Sequence, residues 1–110
     1  MGCEYQFRMT ERAKQDIRQT VGYIRNELDN EKAALSLLNE LEKCMERLCM
    51  FPESGSLVFT AYLPGEHIRK KIVGKYILFY QVLAAERVVR VLRVVYGARD
   101  MDEVLKGLSS

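Results

Sequence analysis

Three strand-length runs follow one another closely in the C-terminal third, and they constrain the fold more than any other feature. They are "HIRKKIV" (67–73), "YILFYQVL" (76–83) and "RVVRVLRVVY" (87–96), all rich in β-branched and aromatic residues. Only Gly74 and Lys75 separate the first pair, and only Ala84, Ala85 and Glu86 the second. Such short joints connect neighbouring strands, so the three runs predict an antiparallel meander. The middle run is nearly continuous in apolar character, as expected of a central strand. The N-terminal "EYQFRM" (4–9) alternates, with Tyr5, Phe7 and Met9 on one side. A lone strand has no partner, so it is expected to join the meander.

Two helices are predicted between these parts. Thr10 can cap the first, whose apolar stripe is Ala13, Ile17, Val21, Ile24 and Leu28. "DN" at 29–30 breaks it, and Asn30 can cap a second helix with Ala34, Leu37, Leu38, Leu41, Met45 and Leu48 on its apolar side, stopped by Pro52. So short a joint predicts an antiparallel helical hairpin. Residues 52–66, "PESGSLVFTAYLPGE", read as a loop, and "RDMDEVLKGL" as one or two closing helical turns. The 110 residues therefore read as a single α+β domain (1–110): N-terminal strand, helical hairpin on one sheet face, three-stranded meander, short C-terminal helix.

Charge is unevenly spread. Residues 1–66 carry 8 basic and 11 acidic side chains, whereas 67–99 carry 8 basic and one acidic. The basic set is Arg69, Lys70, Lys71, Lys75, Arg87, Arg90, Arg93 and Arg99 against Glu86. A block of this kind on strands implies an acidic partner, either nucleic acid or an acidic protein segment. No run approaches the ~20 apolar residues of a membrane span. The N-terminus has no signal-peptide h-region, and Gln6 stands where the acylation pattern of a Met-Gly start needs Ser or Thr. Cys3, Cys44 and Cys49 lack the spacing of a zinc site, with only His67 to join them. They read as reduced thiols of a cytoplasmic protein, with neither metal nor cofactor.

Four stretches in order resemble the RelE/ParE superfamily of toxins from bacterial type II toxin–antitoxin modules. "TERAKQDIRQTVGYI" is similar to the family's first helix and "RLCMFPESG" to its "L…P..G" helix end. "IRKKIVGKYILFYQV" resembles its "R…..G.Y.I.Y.V" strands, and "VLRVVYGARD" its last strand ending in Gly-x-Arg-Asp. The resemblance implies the α+β toxin fold, a cognate antitoxin as partner, and one of two targets. RelE-like members cut mRNA on the ribosome, and ParE-like members poison DNA gyrase without a known hydrolytic site.

Metal-free RNA cleavage needs a base for the 2′-hydroxyl, cations for the phosphorane and an acid for the leaving oxygen. Lys70, Lys71 and Arg99 match family positions for this work. Ile77 stands where the family's strand arginine belongs, and Leu105 where its C-terminal tyrosine belongs. Substitutes could be Tyr96, His67 or Glu66 as acid or base and Arg93 for charge. Each also has an ordinary structural reading: His67 as a solvated strand start, Tyr96 as a strand-end aromatic, the strand cations as an exposed sheet edge. The apolar residue at 77 and the long hairpin match the ParE-like branch better. In that branch no residue is catalytic, and Arg69, Lys70, Lys71, Lys75, Arg90, Arg93 and Arg99 would form one basic face for target or antitoxin.

Overall fold

The computed structural model describes residues 5–58, 67–97 and 101–108. In chain order these form β1 (Gln6–Met9), α1 (Glu11–Gly22) continued by a π-helical turn (Tyr23–Glu27), α2 (Glu31–Met50), a 3-10 turn (Pro52–Ser54), β2 (Ser56–Val58), β3 (Ile68–Val73), β4 (Tyr76–Leu83), β5 (Val88–Tyr96) and α3 (Met101–Gly107). One five-stranded sheet has the order β1-β5-β4-β3-β2. The expected meander is present, and β1 joins it parallel to β5, with Gln6 opposite Val88 and Met9 opposite Val91. The expected loop over 52–66 is corrected in part. Its Ser56–Val58 segment adds an edge strand antiparallel to β3, while 59–66 lies outside the described residues.

Local chemistry sets the element ends. The Thr10 side chain accepts from the Ala13 amide at 3.1 Å, and Asn30 accepts from the Ala33 amide at 3.0 Å, satisfying an otherwise orphaned donor at each helix start. Between the helices Asp29 takes a left-handed conformation (φ 47°), one that a short polar side chain tolerates. Gly74 (φ +59°) does the same in the β3–β4 turn, where a side chain would be strained.

The sheet is covered on both faces. Ala13, Val21, Ile24, Ala34, Leu37, Leu41, Met45 and Leu48 of the helices pack on Val73, Leu78, Tyr80, Val89, Val91 and Val94. On the other face Ile68, Phe79, Leu92 and Val95 form a smaller core with Val104, Met101 and Leu105 of α3. Ile77, where a family arginine was expected, and Leu105, where a tyrosine was expected, both pack against this second core.

A bulge in β5 decides where its arginines point. Tyr80 lies opposite Val91 but Phe79 opposite Arg93, so Leu92 is the extra residue. Arg90 and Arg93, three apart, would face opposite sides of a regular strand. The bulge returns both to the α3 face.

Candidate functional site

The described basic residues of the last third do not form one face. Within β3, Lys70 lies across from Phe79 and so projects on the α3 side, where it is exposed. Lys71 lies across from Leu78 on the hairpin side and is half-buried. Its charge acts on the Cys44 thiol, lowering a pKa that burial has pushed above the ordinary value. Cys44 is half-buried and Cys49 is buried.

Arg69 is held by the chain itself. Its Nη1 donates to the carbonyls of Glu53 (3.0 Å) and Gly55 (2.7 Å). The same turn is fastened from beneath by Tyr80, which is fully buried. Its hydroxyl donates to the Pro52 carbonyl at 2.7 Å and accepts from the Gly55 amide at 2.9 Å. A side chain on residue 55 would meet the Tyr80 hydroxyl at 2.5 Å and the Lys70 carbonyl at 2.7 Å, which accounts for glycine there. Burial pushes the Tyr80 phenol above its usual pKa, against the opposing pull of the Gly55 amide. The "P..G" signature is thus a clamp around Tyr80 and Arg69.

Arg93 is corrected more strongly. It was expected among the presented cations, but only 4% of it is exposed. Its Nε and Nη2 donate to the two oxygens of Asp16 at 2.7 and 3.0 Å. β1 ends at Met9, and α1 then lies beside β5. Thr10 donates through its amide to the Val91 carbonyl and through its hydroxyl to the Leu92 carbonyl, both at 3.0 Å. Further along α1, Asp16 Oδ2 accepts from the Val94 amide at 3.0 Å. The carboxylate thereby closes the strand edge that β1 leaves open and neutralises the arginine beside it. Sequence reasoning missed Asp16. Its signal was its position, three residues after Ala13 on the buried side of α1.

Tyr96 stands at the far end of β5, half-exposed, its ring edge-on to Tyr76 with centroids 5.8 Å apart. Together with Tyr23, Ile24 and Leu28 these rings line an open groove of about 600 Å³ between the hairpin's turn and the sheet end. A second hollow of about 300 Å³ continues it along α2 to Ala33 and Leu37. Lys75, exposed in the β3–β4 turn, borders both. The Tyr76 phenol is raised above its usual pKa by burial first and by its tyrosine neighbours second. Tyr23, in the π-helical turn, is 56% exposed and was not singled out in the sequence.

His67 and Arg90 are exposed, whereas Glu66 and Arg99 lie outside the described residues. Among the described residues no group of His, Cys, Asp or Glu side chains is placed to hold a metal, and no helix is long and apolar enough to cross a membrane. The described candidates for RNA cleavage are split between the two faces. Lys70 and Tyr96 project on opposite sides of the sheet, Lys71 shares the hairpin side with Tyr96, and Arg93 is paired with Asp16.

Residues 7–101 match the family model described as the ParE toxin of the type II toxin–antitoxin system, parDE. No curated protein sequence matches the chain. Solved structures that share its fold include three from toxin–antitoxin and RelE–RelB assemblies. The chromosomal ParDE system from P. aeruginosa is 14% identical with a TM-score of 0.66, covering 86% of this chain and 98% of that one. The RelBE2 toxin–antitoxin complex from Mycobacterium tuberculosis is 20% identical with a TM-score of 0.54, covering 84% and 96%. The archaeal RelE–RelB complex from Pyrococcus horikoshii OT3 is 14% identical with a TM-score of 0.59, covering 88% and 99%.

Proposed function

The chain belongs to the ParE toxin family of type II toxin–antitoxin systems, and on that premise we propose that it arrests growth by poisoning DNA gyrase and is held inactive by a cognate antitoxin. The observation that supports this over ribosome-dependent mRNA cleavage is the use to which three cleavage positions are put. Arg93, the cation offered for the phosphorane, is buried with its Nε–Nη2 edge on Asp16. Ile77 and Leu105 spend the two family positions on core packing. Loss of one charge-stabilising group typically costs about a hundredfold or more in rate. A gyrase poison needs no such constellation. It needs a rigid surface, and the clamped turn and packed hairpin supply one.

The antitoxin's seat in this reading is the tyrosine groove. Tyr23, Leu28 and Tyr96 offer apolar anchor sites, and Lys75 at the rim suits an acidic segment. The M. tuberculosis structure is by name a toxin–antitoxin complex and the P. aeruginosa one a ParDE TA system, which supports a cognate antitoxin for this chain. Both candidate targets are cytoplasmic, and the reading carries that location with it.

Induction without antitoxin, with labelled thymidine and labelled methionine followed over the first minutes, tests the target. DNA synthesis stopping first, with DNA-damage induction, is the expected result. Protein synthesis stopping first would overturn the gyrase reading and turn attention to Lys70, Tyr96, Arg99, Glu66 and His67.

A further inference from the structure

The α3 side of the β1–β5 seam brings Arg8, Arg12 and Arg90 together. Arg8 and Arg90 are direct partners in the parallel pairing, both exposed, and on the same face. Strands so paired lie about 4.8 Å apart, and like charges set opposite each other repel. Neither arginine makes an ion pair among the described residues. Arg12 joins them from the first turn of α1, 60% exposed, with only a long 3.9 Å approach to Asp16. Two adjoining hollows run along the seam. One, of about 230 Å³, lies between Thr10, Glu11, Arg12, Arg90, Arg93 and the end of α3. The other, of about 400 Å³, lies between Arg8, Glu11, Leu83 and Arg90. The acidic groups here are already engaged, Glu11 with Lys14 at 3.4 Å and Asp16 with Arg93.

We propose that this seam is a binding site for the phosphodiester backbone of a nucleic acid, with Arg8, Arg12 and Arg90 contacting phosphates and the Asp16–Arg93 pair holding the floor. The residue type carries the choice of ligand. Guanidinium forks match phosphate oxygens two at a time, where an ammonium acts as a point charge. Bridging by an anion also removes the repulsion that Arg8 and Arg90 otherwise impose on each other. An acidic peptide fits the tyrosine groove better, because that groove offers aromatic anchor sites beside a lysine. The inference goes beyond the gyrase reading and stands whichever target is met, since it concerns contact with the polymer and not the poisoned enzyme.

The test is fluorescence anisotropy of a labelled duplex DNA of arbitrary sequence with the purified chain at 50 and 200 mM salt. Three phosphate contacts give a salt slope near −2.7, so wild-type affinity is expected to fall about fortyfold across that range. Arg8→Gln with Arg90→Gln leaves one contact, and its affinity should fall only about three- to fourfold over the same range. Arg8→Lys with Arg90→Lys should restore most of the slope with weaker binding. Lys32→Gln with Lys43→Gln, an equal loss of charge on exposed α2 positions, should keep the wild-type slope. Circular dichroism confirms that each variant is folded. A control pair that loses as much slope as the arginine pair would overturn the site. So would a polyglutamate that displaces the duplex as effectively, charge for charge, as unlabelled DNA.

Discussion

Asp16→Ala should be among the most damaging single substitutions in this molecule. It strips Arg93 of the carboxylate that it contacts at 2.7 and 3.0 Å, and takes the acceptor from the Val94 amide. The two side chains are only 5% and 6% exposed, so water does not readily replace the carboxylate. Removing one partner of a buried pair costs about 3–5 kcal/mol, because an uncompensated charge stays behind. Against a total stability of about 5–15 kcal/mol this is a large fraction. At roughly 4–8 °C per kcal/mol for a chain near this size, the midpoint should fall by on the order of 15–30 °C. Urea unfolding followed by circular dichroism measures the free-energy loss, provided the slope m is unchanged. The double variant Asp16→Leu, Arg93→Met separates the pair's worth from the cost of breaking it. Apolar replacement of both partners is often near neutral, so the double should be more stable than either single by at least about 2 kcal/mol. A loss below about 1 kcal/mol in Asp16→Ala would refute the reasoning. So would a double variant as unstable as the sum of the singles.

Tyr80→Phe should cost about 1–3 kcal/mol by leaving the Pro52 carbonyl and Gly55 amide unpaired, read by the same denaturation. In the wild type the raised phenol of Tyr80 favours the folded state below its ordinary pKa of about 10. That contribution is lost as pH rises through the folded value, so Tyr80→Phe should show a flatter alkaline loss of stability. Gly55→Ala should be worse than Tyr80→Phe, since its methyl would sit 2.5 Å from a hydroxyl and 2.7 Å from a backbone carbonyl; an unchanged melting temperature would refute the clamp. Leu41→Asp buries an unpaired charge where only 2% of the residue meets water, and a native-like melt would show that Leu41 is not core.

Much of the fold was readable because local signals and tertiary structure agree. Thr10 and Asn30 cap where their side chains said they would, and β4 runs from Tyr76 to Leu83 as its apolar run implied. β2 was missed because three residues flanked by Pro, Ser and Gly carry no usable period. Its strand character comes from the edge of β3, not from Ser56–Val58 themselves. The candidate site was less legible. Period-2 reasoning assumes an unbroken strand, and a single extra residue at Leu92 changes which side every later side chain faces. No local pattern announces that bulge.

The same limit bears on how a basic block should be read. Composition supplied the charge excess correctly, but four of its members have distinct physical duties. Arg69 ties down a turn, Arg93 neutralises Asp16, Lys75 edges an aromatic groove, and Arg90 faces Arg8 across a strand pair. A charge-reversal variant at Arg69 and Arg93 would therefore report on folding before it reported on any partner, since Arg93→Glu sets a second carboxylate against Asp16 in a buried space. Toxicity lost in that variant says nothing about a basic face. Substitutions at Lys70, Lys75, Arg8 and Arg90 are the informative ones, because these side chains are exposed and make no ion pair or side-chain hydrogen bond among the described residues that a substitution would break.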